Sequence, residues 1–155
     1  AQAGKMVDIE TGNVIGDHSG IMYYTIGQRK GLGIGGPGDA WFVVGKDYDK
    51  NVLYICQGDQ KDWLYSTGAL ITDVNWIPST KPIDKIACNA KFRYRQPDNP
   101  IQLEFIDEDT VYLTFDKPIK AVTPGQAAVF YDGDICLGGG TIETVYKDGQ
   151  PIKYL

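Results

Sequence analysis

Apolar residues in this chain alternate with polar ones along short β-branched and aromatic runs, and a turn signal breaks the pattern about every ten residues. A period of two puts successive side chains on opposite faces, which half-buried strands require and amphipathic helices forbid. In IQLEFIDEDTVYLTF, Leu103 and Phe105 share one face of a first arm. Val111, Leu113 and Phe115 share one face of the second, and Asp107-Glu108-Asp109 turn the chain. The same reasoning predicts hairpins in AAVFYDGDICLGGG about Asp132-Gly133, in ETVYKDGQPIKYL about Asp148-Gly149, and in KMVDIETGNVIG about Thr11-Gly12-Asn13. No long segment has helical periodicity, and only a short helical turn is expected within GDQKDWLYST. The fold class is mainly β.

Twelve of the 19 glycines fall at or before Gly58, and the later sequence reads as regular strands and tight turns. The 155 residues are therefore expected to divide near Lys61 to Thr67. Residues 1–64 form a small β-rich domain with a glycine-rich loop, and residues 65–155 form a closed β-barrel of about six strands, closure being the means of removing exposed strand edges.

With 43% hydrophobic and 23% charged residues the composition is that of a globular protein. No apolar run approaches the roughly 18 residues of a membrane span, and AQAGKMVDIE has no signal-peptide pattern, so a soluble, cytoplasmic protein with no membrane partner is expected. Cys56, Cys88 and Cys136 are odd in number, widely spaced and set among apolar neighbours, and His18 is the single histidine. That set does not make a zinc site, and the cysteines read as small core hydrophobes in a reduced compartment. A net charge of −5 excludes a uniformly basic nucleic-acid binder but not a local patch. Two cationic clusters qualify: Gln28-Arg29-Lys30, and Lys91-Phe92-Arg93-Tyr94-Arg95-Gln96.

The first cluster opens the stretch TIGQRKGLGIGG, where Gly31, Gly33 and Gly36 satisfy G-x-G-x-x-G. A dinucleotide fingerprint requires a helix after the glycines, to present its N-terminus to a pyrophosphate. Here Pro37-Gly38-Asp39-Ala40 leads into Trp41-Phe42-Val43-Val44, which reads as turn and strand, and no Gly-Lys-Ser/Thr of a Walker motif follows. Two readings remain: a solvated basic turn whose glycines permit positive φ, or a loop that lays amides and cations against a nucleic-acid backbone. KFRYRQ is similarly open. As a strand it places Phe92, Tyr94 and Gln96 on one face and Lys91, Arg93 and Arg95 on the other, which suits either a core row with a solvated cationic face or a strand whose Arg and Tyr reach an RNA.

Taken together, YYTIGQRKGLGIGG, KFRYRQ and AVTPGQAAVFYDGDICLGGGTI resemble, in order and spacing, the tRNA-specific 2-thiouridylase family, the enzymes that place sulfur on the wobble uridine. The motifs extend from Gly4 to about Glu143 and leave the tail TVYKDGQPIKYL outside. The resemblance implies the family's small central domain followed by its C-terminal barrel, which is similar to a domain of translation elongation factors. The family's N-terminal ATP-pyrophosphatase domain carries a Ser-Gly-Gly-x-Asp-Ser phosphate loop, and no such string occurs here. Its two catalytic cysteines also lie upstream of the matching region, so Cys56, Cys88 and Cys136 do not correspond to them and no catalytic residue is expected in this chain.

By the same resemblance, Arg93, Tyr94 and Gln126 match residues that contact tRNA, and Gln28, Arg29 and Lys30 lie in a stretch that faces the same complex. Many relatives carry Cys after the proline that follows the Arg-Tyr strand; Ile101 stands here and keeps an apolar contact. His18 matches a family histidine and reads as a turn residue bonded to backbone. The implied partners are tRNA, the ATP-pyrophosphatase domain of the same enzyme, and a sulfur donor that is a cysteine desulfurase or a sulfur relay protein. ATP and Mg²⁺ belong to the full enzyme and no cofactor to these residues. The alternative is a free-standing barrel that binds RNA or protein without chemistry. The purified 155-residue chain, given tRNA, ATP and a sulfur source, is expected to form no 2-thiouridine, and thiolated product by mass spectrometry would contradict that expectation.

Overall fold

The structure, a computed structural model, describes residues 2–58, 62–93 and 96–155. The chain forms two compact units: Ala1–Tyr65 together with Lys153–Leu155, and Ser66–Ile152. The first unit is a four-stranded sheet of β1 (Gly4–Asp8), β2 (Val14–His18), β3 (Trp41–Asp47) and β4 (Val52–Gln57), in the order β2-β1-β4-β3. β1 and β4 run parallel, and the other pairs are antiparallel. Met6, Val43, Leu53 and Ile55 are buried on it, and Val44, next to Val43, is buried as well beside a register shift between Val43 and Gly45.

The outer edge of β3 is bonded at Val43 and at Lys46 rather than left open. Gly27 N–H donates to Val43 O (2.7 Å) and Val43 N–H to Gln28 O (2.9 Å), while further along Lys46 N–H donates to Tyr154 O (2.9 Å). The C-terminal tail is thus a structural part of the first unit, and covering the edge blocks pairing with other chains. Tyr154 also donates its hydroxyl to Trp63 O (2.9 Å) and meets the Trp63 ring edge-on at 5.6 Å between centroids. Burial first, then the nearby Cys56 and Asp62, pushes this phenol up to about 12.

The second unit contains β5 (Tyr65–Trp76), β6 (Ile86–Lys91), β7 (Asn99–Asp107), β8 (Thr110–Lys120), β9 (Ala127–Asp132), β10 (Ile135–Lys147) and β11 (Gln150–Pro151). The order β10-β5-β8-β7-β6-β9 closes on itself through pairing of β9 with β10, giving a six-stranded antiparallel barrel with β11 attached to β10. Ala69, Ile71, Ala90, Leu103, Leu113, Phe130 and Ile142 are buried and mark its core. The β7–β8 hairpin has the expected partners, Leu103 opposite Leu113 and Phe105 opposite Val111, with a bulge before the turn at Glu108-Asp109. Ile101 is 1% exposed, an apolar core residue as expected.

Two expectations are corrected in detail. The separate arms read from CLGGG and ETVYK are one 13-residue strand, β10, which pairs with β9 over its first half and with β5 along most of its length. The strand expected to run on from Lys91 ends there: β6 stops at Lys91, because β7 leaves the pairing opposite Ala90, where Asn99 sits. Phe92 still turns into the core, where it is 2% exposed and packs on Phe115 with centroids 5.2 Å apart. Among the described residues, no helix is long and apolar enough to cross a membrane.

Cys56 and Cys88 are buried core residues, and Cys136 is partly exposed. Burial, reinforced by the charge of Asp132, pushes the Cys88 thiol up to about 11, the reverse of what a thiolate nucleophile needs. Iodoacetamide near pH 8 is accordingly expected to label Cys136 in the native protein and to reach Cys56 and Cys88 only on unfolding; rapid native labelling of Cys88 would contradict its burial. Tyr154→Ala, which removes the ring contact and the hydroxyl bond, is expected to destabilise the first unit by about 2 kcal/mol, and Tyr154→Phe by about 1 kcal/mol. Denaturant unfolding followed by tryptophan fluorescence measures both, and an unshifted midpoint for Tyr154→Ala would contradict docking of the tail.

Candidate functional site

A cleft of about 470 Å³ on the barrel is lined by Lys91, Phe92, Arg93, Gln126, Ala127, Val129 and Tyr131. Its floor follows from strand pairing, since β6 lies beside β9 with Asn89 opposite Tyr131 and Lys91 opposite Val129. Its rim is the corner between β8 and β9. There Thr123-Pro124-Gly125-Gln126 has the pattern of a type II turn, with Pro at the second position, Gly125 at φ 89° at the third, and Gln126 N–H donated to Thr123 O at 3.3 Å. The turn is fixed to β10 by Gly125 N–H to Ile142 O and Ile142 N–H to Gln126 O, both 2.8 Å.

Arg93 and Gln126, far apart in sequence, therefore meet in one cleft. Arg93, for which both a solvated cationic face and an RNA contact were open, is half-buried, and its Nη2 donates to Ala121 O at 2.8 Å. Thr123 Oγ1 donates to the same carbonyl at 3.0 Å. Ala121 has φ 61°, unusual for alanine, so the guanidinium and the threonine hydroxyl hold a strained corner in place. Burial pulls the Arg93 guanidinium below the usual arginine value, yet it stays cationic. Gln126 Oε1 is buried and accepts no hydrogen bond among the described residues. A buried acceptor of that kind is costly unless a partner supplies a donor.

Lys91, named in the sequence only as part of a cationic cluster, and Tyr131, which the sequence did not single out, line the same cleft. Lys91 Nζ stands 5.3 Å from the centroid of the Tyr131 ring and 3.5 Å from Asp98. Pairing AAVFYD with the strand that begins KFRYRQ would have revealed them, but that pairing depends on barrel closure. Tyr94 lies outside the described residues.

Gln28, Arg29 and Lys30 belong to the first unit. Gln28 is occupied within its own loop: Oε1 accepts Thr25 N–H and Nε2 donates to Lys30 O, both 2.9 Å. Arg29 and Lys30 are exposed, and Arg29 lines a second cleft of about 290 Å³ formed mainly by Gly31–Trp41. The glycine loop leads through bends at 36–39 into strand β3, not into a helix. It therefore offers no helix N-terminus to a pyrophosphate. His18 is 2% exposed, its Nδ1 accepts Gly20 N–H (3.1 Å), and its Nε2 donates to Asn51 O (2.9 Å), which fixes a neutral tautomer and gives the ring a structural role.

Two family models match the chain. The tRNA methyl transferase PRC-barrel domain covers residues 1–57, and the aminomethyltransferase beta-barrel domain covers residues 66–142. Among curated proteins, the tRNA-specific 2-thiouridylases MnmA of Bacillus cytotoxicus and Oceanobacillus iheyensis are each 52% identical to it, and that of Geobacillus thermodenitrificans 53%. Each alignment covers 100% of this chain, tail included, and 42% of the relative's length. The tail thus falls inside the match that the motifs alone did not reach. Identity sustained along the whole chain, with both barrel-domain models in register with the two units, shows that the chain belongs to the tRNA-specific 2-thiouridylase family, as its central and C-terminal domains.

Proposed function

We propose that this chain is the tRNA-docking portion of a 2-thiouridylase, an enzyme that makes 2-thiouridine at the wobble position by ATP-dependent adenylation of the uridine and sulfur transfer from a cysteine persulfide. The observation that carries the reading is the convergence of Arg93 and Gln126 in one barrel cleft, with a cation held in place and a buried amide oxygen that lacks a donor. Arg93 supplies a positioned charge for phosphate, Tyr94 a ring on which a base stacks, and Gln126 an acceptor for a base or ribose donor. Arg29 and Lys30 supply further cationic contacts on the first unit, with Gln28 shaping their loop.

The chemistry belongs to a catalytic domain of the same enzyme. A nucleotide with Mg²⁺ needs clustered carboxylates and a phosphate cradle. Among the described residues no three His, Cys, Asp or Glu side chains are grouped to hold a metal, and the glycine loop runs into a strand. The metal-bound nucleotide is assigned to that catalytic domain, and no step of the reaction to these residues. A cysteine desulfurase or a sulfur relay protein would serve that catalytic domain as donor, and the enzyme would work in the cytoplasm beside its substrate.

The test is binding of a wobble-uridine tRNA to the chain at low salt. Arg93→Ala with Gln126→Ala is expected to abolish a weak, salt-sensitive affinity. Arg93→Ala alone is expected to lower the slope of log affinity against log salt by about one. Because Gln126 Oε1 accepts no bond within the described protein, Gln126→Ala separates lost recognition from lost folding. Unchanged binding by the folded double variant would overturn the reading.

A further inference from the structure

The glycine loop is anchored through its acceptors and left open at its donors. Lys30 O accepts Gln28 Nε2 (2.9 Å), Pro37 O accepts Gln57 Nε2 (3.0 Å), and Ala40 O accepts Gly58 N–H (2.8 Å). Among the described residues, by contrast, no backbone N–H from Arg29 to Ala40 is donated to a protein acceptor. Gly31, Gly33, Gly36 and Gly38 have φ of 81°, 69°, 100° and 97°, interleaved with residues outside the left-handed region. Backbone that alternates in this way lets successive N–H groups converge on an anion. A Cβ added at Gly33, Gly35 or Gly36 would meet nothing within 4 Å, so the amides border open space.

Two charged side chains line the cleft, Arg29 and Asp39, with Trp41 beside them. Arg29 complements a phosphate. Asp39 makes the cleft a poor receptor for a free polyanion, because its carboxylate calls for a hydroxyl or amine donor nearby. A ribose-phosphate unit presents both groups, an anionic phosphate and a 2′-hydroxyl.

We infer that this cleft takes one ribose-phosphate unit of an RNA strand: the loop's N–H groups and Arg29 bind the phosphate, and Asp39 accepts the 2′-hydroxyl. The inference rests on the RNA-docking reading above and adds a site, a ligand chemistry and an origin for discrimination of RNA from DNA. Gln28 is a positioning residue, tying Thr25 N–H to Lys30 O across the turn that presents Arg29.

The test uses the whole 155-residue chain, a labelled single-stranded RNA 12-mer and the DNA 12-mer of the same sequence, by fluorescence anisotropy at low salt. Gly35 lies outside the left-handed region, so proline there removes one N–H and alanine keeps it. Gly35→Pro is expected to weaken RNA binding about five-fold and Gly35→Ala to leave it within about two-fold. Arg29→Ala weakens RNA and DNA alike. Asp39→Ala brings the RNA-to-DNA affinity ratio from several-fold towards one. Thermal melts confirm that each variant is folded. Equal affinities of the proline and alanine variants, equal binding of RNA and DNA by the native chain, or no RNA binding would overturn the assignment. If Gln126→Ala removes tRNA binding while Gly35→Pro changes nothing, the loop assignment fails and the barrel reading stands. The reverse pattern would leave the loop and sink the barrel.

Discussion

Closure of the barrel depends on β10 passing close to β5 on one side and β9 on the other, and this works because Gly138, Gly139 and Gly140 carry no Cβ. A Cβ at Gly138 would lie 2.3 Å from Asn75 O, at Gly139 2.5 Å from Ala128 O, and at Gly140 2.5 Å from Thr72 O. Backbone oxygens cannot yield by the several tenths of an ångström needed, so any side chain there forces the strands apart. Register shifts beside these glycines let one strand serve both neighbours. Everything at the cleft follows, because β9 held against β10 is the strand that β6 then joins.

The cleft is built from a corner as well as from strands. After β8 the chain must reverse, and Ala121 takes a left-handed conformation while Thr123–Gln126 forms a proline-glycine turn fixed to β10. Arg93 reaches across from the end of β6 to the Ala121 carbonyl. One Arg93 nitrogen is thus used in structure, which holds the guanidinium in one place. Preorganisation of this kind reduces the side-chain entropy lost on binding. The corner and the cleft are the same device, which is why a motif such as TPGQ reads equally well as a turn and as a contact.

The strand pattern and turn residues made most of the fold legible. The β1–β2 and β7–β8 hairpins, the helical turn at Asp62–Leu64 and the closed barrel are all where alternation and turn chemistry put them. Two features were beyond local pattern. The end of β6 at Lys91 is set by where β7 departs, a tertiary constraint that overrides the regular alternation of KFRYRQ. The role of the tail is set by the open edge of β3, which no property of the residues around Tyr154 announces. Of the residues lining the barrel cleft, Arg93 and Gln126 were named through motif resemblance and Lys91 only as part of a cationic cluster, while Tyr131 was not named, because only β6–β9 pairing brings it beside Lys91. Gln28 was legible as a polar residue beside a glycine loop, but its amide turns inward to shape the loop.

The central claim is that RNA seats on the barrel face bounded by the end of β6 and the start of β9. Hydrogen–deuterium exchange of the chain with and without a wobble-uridine tRNA measures this directly. The account predicts slowed exchange in peptides covering Lys91–Arg93 and Thr123–Tyr131, with little change in the β7–β8 turn at Glu108-Asp109. Protection confined to that turn, or none at either cleft segment under conditions where tRNA is bound, would contradict it.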